Sequence, residues 1–374
     1  MAVREHYDIA IIGGGLVGGA IAYGLARLGK EVLLLDEGDI AWRASRGNFG
    51  LVWVQGKGLG LPHYSNWTQL SARRWPELAA LLAADADTDV VLEQPGGFHV
   101  CLSERELEAR VQTLERLVAQ PGLEPYRFDV LDHGELAARI PGIGRDVVGA
   151  TYTTLDGHVN ALKLLRALHA GFLQHGGDYA PNTRIGALAH NGGQFSLKAA
   201  RVTFNARQVV LAAGLGNAQL APQLGLDAPV RPQRGQILVL ERTRRFLHHP
   251  IATLRQTDEG TVLIGDSQEE AGFNDTVGMA ILATLAERAV RTFPALADVR
   301  INRTWAALRV MSPDGFPIYA ASESAPGAFL ATCHSGVTLA AAHALELAPM
   351  IAHGALDSRL NPFSAERLHV QKAA

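Results

Sequence analysis

Apolar positions follow two rhythms along this chain. Residues 7–12 are a short unbroken β-branched and apolar run, 16–28 carry apolar residues at helical spacing, and 31–35 are a second apolar run. Together they predict strand, turn, helix and strand, the βαβ unit of a parallel sheet. From about residue 50 to 149 the pattern turns helical, with helices expected over 67–84 and 103–119. The second of these alternates Glu and Arg as a solvated helix face does. An amphipathic helix is expected over 161–176, and the apolar run 208–213 ends in Gly214. Strands over 236–240 and 261–264 and a helix over 276–292 suggest a second, mixed sheet. The chain then offers a strand over 329–332 and a helix over 337–353, joined by Cys333-His334-Ser335-Gly336.

The first turn carries chemistry. Gly13, Gly15 and Gly18 satisfy GxGxxG after a predicted strand and at the start of a predicted helix. Gly13 allows the tight turn, Gly15 lets backbone approach a pyrophosphate, and Gly18 lets the helix lie close to the strand. The helix N-terminus attracts the phosphate charge. Asp36 ends the second strand about twenty residues on, where a carboxylate accepts ribose hydroxyls and repels a 2′-phosphate, so NADP is disfavoured. These features alone leave NAD and FAD both open, since each carries an ADP moiety.

Composition narrows the class. A chain of 374 residues, 48% hydrophobic, suits two packed domains rather than one core. A formal charge of -3 without single-sign runs argues against nucleic acid. The two cysteines, Cys101 and Cys333, lack the spacings of zinc, iron–sulfur or disulfide frameworks, which fits a cytoplasmic protein. Residues 9–26 are apolar enough to suggest a membrane segment, but six glycines interrupt them, and no span is expected. His248-His249 lacks metal-ligand spacing, and no metal site is expected. Asp258-Glu259 and Glu269-Glu270 read as turn and surface charges, and no GxSxG elbow occurs.

Five separated segments resemble the FAD-dependent D-amino-acid oxidase family, which includes glycine oxidase, sarcosine oxidase and many amino-acid dehydrogenases. They are the GxGxxG unit, Ala44-Ser45-Arg46-Gly47-Asn48-Phe49-Gly50, Asp156-Gly157-His158-Val159-Asn160, the run 208–214, and Leu308-Arg309 with Pro313-Asp314-Gly315 followed by His334-Ser335-Gly336-Val337-Thr338. The similarity spans about residues 6–352. It implies FAD as cofactor, held by Gly13, Gly15, Leu16, Val17, Gly18, Asp36, Glu37, Ala44, Ser45, Asn48, Phe49, Gly50, Leu51, Ile185, Ala212, Ala213, Gly214, Ser335, Gly336, Val337 and Thr338. Arg184 and Ile185 resemble a short adenine-side strand. Residues 335–338 would present helix N-terminal amides to the flavin. Arg309 would pair with a substrate carboxylate, and His334 would contact either the flavin or its own turn. Arg234-Gly235-Gln236 reads as structural.

The expected fold is α/β. A Rossmann-type FAD domain is assembled from 1–50, 151–219 and 309–374, and a substrate domain with a mixed sheet from 51–150 and 220–308. The resemblance implies hydride transfer from the carbon beside the amine of a small amino or imino acid to flavin N5, with no dedicated acid or base. Within the family, residues 47–58 and 333–339 look most similar to catalytic subunits of D-hydroxyproline dehydrogenase, hydrogen cyanide synthase and opine dehydrogenases. A D-hydroxyproline dehydrogenase that passes electrons to companion redox subunits is the first expectation. The alternatives are a glycine, sarcosine or D-amino-acid oxidase using oxygen directly, a flavin relay or assembly subunit without its own substrate, and an NAD-dependent dehydrogenase.

Overall fold

The structure, a computed structural model, describes residues 4, 6–38, 44–265 and 267–370. The parts of the expected segments that fall at 1–3, 5, 39–43, 266 and 371–374 lie outside the described residues. Along the chain run β1 (His6–Ile12), α1 (Leu16–Arg27), β2 (Val32–Leu35), α2 (Pro62–Ala86), α3 (Glu104–Val118), α4 (Ala161–Gln174), β3 (Asp178–Ala180), β4 (Thr203–Leu211), β5 (Arg231–Arg242), β6 (Ile301–Met311) and β7 (Ala328–Thr332).

β1 is apolar from Ile9 to Ile12 because both of its faces are covered, as in a central parallel strand. It pairs in parallel with β2 on one side and β4 on the other. β2 carries β3, and β4 carries β7, also in parallel. Ile318–Ala321 closes one edge antiparallel to β7, and the hairpin of Ala187–Asn191 with Gln194–Lys198 adds to β4. α1 is buried almost all round, which explains its small residues. It is pressed between the sheet, α4 and the C-terminal helical segment, and a Cβ at Gly24 would come 2.2 Å from the Ala344 carbonyl oxygen.

The second sheet is antiparallel around β5, which pairs with β6 over its length and with Thr261–Ile264 on the other side. A three-stranded unit, Gly97–Cys101 with Gly149–Thr153 and Asp129–Asp132, joins it through a parallel bridge between Phe98 and Ile251, making the whole mixed. α3 lies on this unit. Among the described residues no helix is long and apolar enough to cross a membrane.

Three local expectations change. Residues 184–185 are not a strand; Ile185 is buried in the core beneath the parallel sheet, and Arg184 pairs with Glu37 at 3.8 Å. The helix expected from 276 begins at Met279, after a β-branched and glycine stretch. The helix expected from 337 begins at Ala340 and passes through a π-helical segment, His343–Leu347, so residues 335–338 lie in the preceding turn and not at a helix N-terminus. That turn is closed by the Leu339 amide donating to the Ser335 carbonyl and the Ala340 amide to the Val337 carbonyl.

Candidate active site

The glycine turn leaves β1 with Gly13 at a φ of +112°, a conformation that side chains oppose. A Cβ at Gly13 would lie 2.3 Å from the Ala212 carbonyl oxygen, and one at Gly18 would lie 1.8 Å from the Gly13 carbonyl oxygen. Strand end, helix start and the end of β4 therefore meet without side chains between them. Gly15 caps α1 with no side-chain bond, while the Leu16 amide donates to Ser45 Oγ at 2.9 Å. Gly336 comes beside Leu16 and Val17, and Gly214 beside Val310. Asp36 Oδ2 accepts from the Gly14 amide at 2.6 Å and Oδ1 from the Gly38 amide at 2.8 Å, which fixes the carboxylate at the rim of the turn. A helix N-terminus whose cap residue has no side chain, a backbone cradle that any Cβ would fill and an adjacent fixed carboxylate form a donor and acceptor set that fits the ADP half of FAD.

Ala44, Asn48, Phe49, Leu51, Arg309, His334, Ser335, Val337 and Thr338 line one cavity of about 380 Å³. Its first wall is the loop that follows β2. Asn48 Oδ1 accepts from the Gly50 amide at 2.7 Å, and the buried Arg255 donates to the Phe49 carbonyl while standing over the Phe49 ring. Burial lowers the Arg255 guanidinium to about 10. Gly50 itself faces the Val159 backbone and Arg255. The second wall is the turn after β7. Ser335 Oγ receives Lys57 Nζ at 2.5 Å and lies 2.7 Å from the Tyr64 hydroxyl. His334 Nε2 is 3.2 Å from Ser335 Oγ, and burial with the nearby Lys57 and Arg309 charges holds the ring at about 3, hence neutral. Thr338 Oγ1 accepts from the Trp53 amide and donates to the Leu51 carbonyl, tying the two walls together.

The third wall is the β5–β6 ladder. Gln233 pairs with Arg309 and Gly235 with Ala307. Arg309 Nη1 donates to the Ser267 carbonyl at 2.7 Å and lies over Gly235. The neighbouring Arg234 is held by Glu269 at 2.6 Å, a structural ion pair as its sequence context suggests.

Sequence reasoning missed Lys57, Trp53, Arg110, His99 and Arg255. Lys57 and Trp53 lie in a glycine-punctuated loop, and Arg255 in a strand with no distinguishing motif. Arg110 sits on the helix read as solvated. Only tertiary packing brings them to the cavity or to its walls. Of the residues expected at the cofactor, Ile185, expected to bind through its backbone, has its side chain buried in the core, and Glu37 stands half-exposed beside Arg184.

A parallel sheet with a glycine-turn cradle, set against a mixed sheet across a cation-lined cavity, defines a dinucleotide-dependent oxidoreductase. The FAD-dependent oxidoreductase family model matches residues 8–350, and the chain belongs to that family. It is 50% identical over 366 residues to a subunit of opine oxidase from Agrobacterium tumefaciens (strain Ach5), covering 98% of this chain and 99% of the relative. It is 29% identical over 403 residues to a hydrogen cyanide synthase subunit of Pseudomonas protegens, covering 97% and 96%. The fold matches glycine oxidase from Bacillus cereus ATCC 14579 with a TM-score of 0.85 at 24% identity, covering 96% and 98%. The protein is an FAD-dependent oxidoreductase.

Proposed function

We propose that this chain is the amine-oxidising subunit of a cytoplasmic assembly that dehydrogenates a small secondary amino acid, N-substituted or cyclic, and passes the electrons to companion subunits. The observation that carries it is Arg309, whose guanidinium shares one cavity with the two loops assigned to the flavin. The names of the relatives, an opine oxidase subunit and a hydrogen cyanide synthase subunit, support a multi-subunit enzyme and widen the substrate choice beyond cis-4-hydroxy-D-proline.

In this reading segments 1–50, 151–219 and 309–374 hold the cofactor, and 51–150 and 220–308 shape the substrate side. Gly13 to Gly18, Asp36 and Ser45 hold FAD at its ADP half, and residues 44, 48–51 and 334–338 hold it at its flavin half. Bound FAD supplies the two-electron acceptor. Arg309 fixes the substrate carboxylate by parallel charge-assisted hydrogen bonds and so orients the adjacent C–H bond. Among the described residues lining the cavity there is no Asp or Glu, while Lys57, Arg110 and Arg309 are basic. Their field disfavours an ammonium group and favours the neutral amine, whose lone pair is needed to form the C=N bond. His334, held neutral, lines the cavity without a charge to donate.

The test is anaerobic addition of an opine, cis-4-hydroxy-D-proline, D-proline, sarcosine and glycine, in turn, to the yellow holoprotein. Loss of flavin absorbance with a secondary amino acid supports the proposal. Bleaching by glycine alone with rapid recovery in air favours a self-contained oxidase, and no bleaching by any of them favours a relay subunit.

A further inference from the structure

The cavity is lined by a second, half-buried guanidinium that the carboxylate-anchoring role of Arg309 does not use. Arg110 reaches it from α3, on the three-stranded side of the mixed sheet, whereas Arg309 comes from β6. Among the described residues Arg110 makes no ion pair. Its hydrogen-bond partners are neutral oxygens, Gln55 Oε1 at 3.0 Å from Nη2 and Thr151 Oγ1 at 3.3 Å from Nε.

The side chain is nonetheless held firmly. Gln55 is fully buried and spends its amide on Asp156 Oδ2 at 2.7 Å and the Gly97 carbonyl at 3.0 Å, which leaves Oε1 to accept from Arg110 and from the Thr151 hydroxyl. Asp156 is occupied in turn by the Val54 and Gln55 amides. Nη1 lies against Gly56, where a Cβ would come 2.5 Å from it. Gly56, whose φ of +81° itself favours glycine, leaves room for the guanidinium. Asp156 acts on Arg110 only at a distance, through Gln55, and a partly desolvated cation whose direct hydrogen-bond partners are neutral is costly unless an anion completes it. Burial lowers the Arg110 guanidinium from its ordinary value, consistent with that cost.

We infer that Arg110 is a second anion subsite, taking a carboxylate carried on the nitrogen substituent of the substrate while Arg309 holds the carboxylate beside the oxidised carbon. The inference rests on reading this cavity as the substrate site. It makes the preferred substrate a secondary amine bearing two acidic groups.

The experiment measures binding of non-oxidisable acids to the FAD-loaded protein by perturbation of the flavin spectrum. Glutarate, adipate and pimelate are each compared with the monoacid of equal length, pentanoate, hexanoate and heptanoate. At the chain length that spans the two arginines, the diacid binds about tenfold to a hundredfold more tightly than its monoacid, the range of one charge-assisted hydrogen-bonded pair. Arg110→Met removes that advantage, weakening diacid binding by much more than monoacid binding. Arg110→Lys restores part of it. No diacid advantage at any length in the native protein, or an Arg110→Met variant that keeps the advantage or loses mono- and diacids alike, overturns the inference. The amine panel reports separately on the proposed reaction: a diacid advantage that depends on Arg110 with no flavin bleaching by any amine would sink the amine-oxidising reading and leave the anion subsite standing.

Discussion

The guanidinium of Arg309 rests on the backbone of Gly235, so that a Cβ at that position would come 2.5 Å from Nη1 and 2.7 Å from Cζ. The two residues are two steps apart on adjacent strands, since Gly235 pairs with Ala307. Nη1 is then anchored by the Ser267 carbonyl. The absence of a methyl group at Gly235 leaves the room that the Arg309 guanidinium occupies.

Gly235→Ala is therefore expected to act through Arg309. Displacing the guanidinium by about an ångström costs roughly tenfold to a hundredfold in kcat/KM, most of it in substrate binding, with FAD content unchanged. Steady-state kinetics on a carboxylate substrate check this. Unchanged kinetics in a protein of normal stability would show that Arg309 has room to move.

Asp36 accepts two backbone amides at the rim of the glycine turn. Asp36→Ala should weaken FAD binding by about 1.5–3 kcal/mol, read by fluorescence titration of the apoprotein, because a charged acceptor for the ribose is lost. A lower melting temperature with unaltered FAD affinity would restrict the carboxylate to holding the turn.

Acid should destabilise the fold through its buried histidines. Burial lowers His99, His334 and His343 to about 3 each, and lowers His158, His169 and His249 as well. Between about pH 6.5 and 3 the unfolded chain binds protons that the folded chain refuses, so stability falls as pH falls through that window. Asp156 opposes this, since burial raises it to about 7 and its folded form takes a proton that the unfolded chain lacks above about pH 4. Six lowered histidines outnumber the one raised aspartate, so the net effect keeps the sign set by the histidines. Thermal unfolding from pH 6.5 to 4.5 measures it, and His343→Gln should make the slope shallower by about one proton. A melting temperature flat across this range would contradict the burial argument.

Turnover should follow the substrate's own amine. With His334 held near 3 and no carboxylate among the described lining residues, kcat/KM is expected to rise with pH until the substrate ammonium is deprotonated. The inflection should move when a substrate of different basicity is used and stay fixed in His334→Gln. An inflection that follows the His334 substitution would make that ring a proton acceptor.

The local parts of this architecture were open to sequence reasoning. The strand at 7–12 and the helix from 16 lie within one residue of β1 and α1, because an apolar run, a glycine turn and a periodic helix are short-range signals. The α/β class followed from the same signals. Arg110 was hidden because a Glu- and Arg-rich helix has the same pattern whether one arginine faces water or a cavity. Lys57 reaches Ser335 across 278 positions of chain, and Arg255 reaches Phe49 across 206, pairings that no periodicity encodes. The turn at 336–339 was absorbed into the helix because Val337, Thr338 and Leu339 continue its apolar pattern, although Thr338 spends its backbone carbonyl on Ser71 and Trp75 and its hydroxyl on the Trp53 amide.

The central claim is that Arg309 anchors the carboxylate of the amine that the protein oxidises. Its most direct test is anaerobic stopped-flow reduction of the bound flavin by a secondary amino acid and by the corresponding carboxamide, in the native protein and in Arg309→Met. The account predicts fast bleaching by the acid, slow bleaching by the amide, and the loss of that difference in the variant. A variant that still discriminates acid from amide as the native protein does would contradict it.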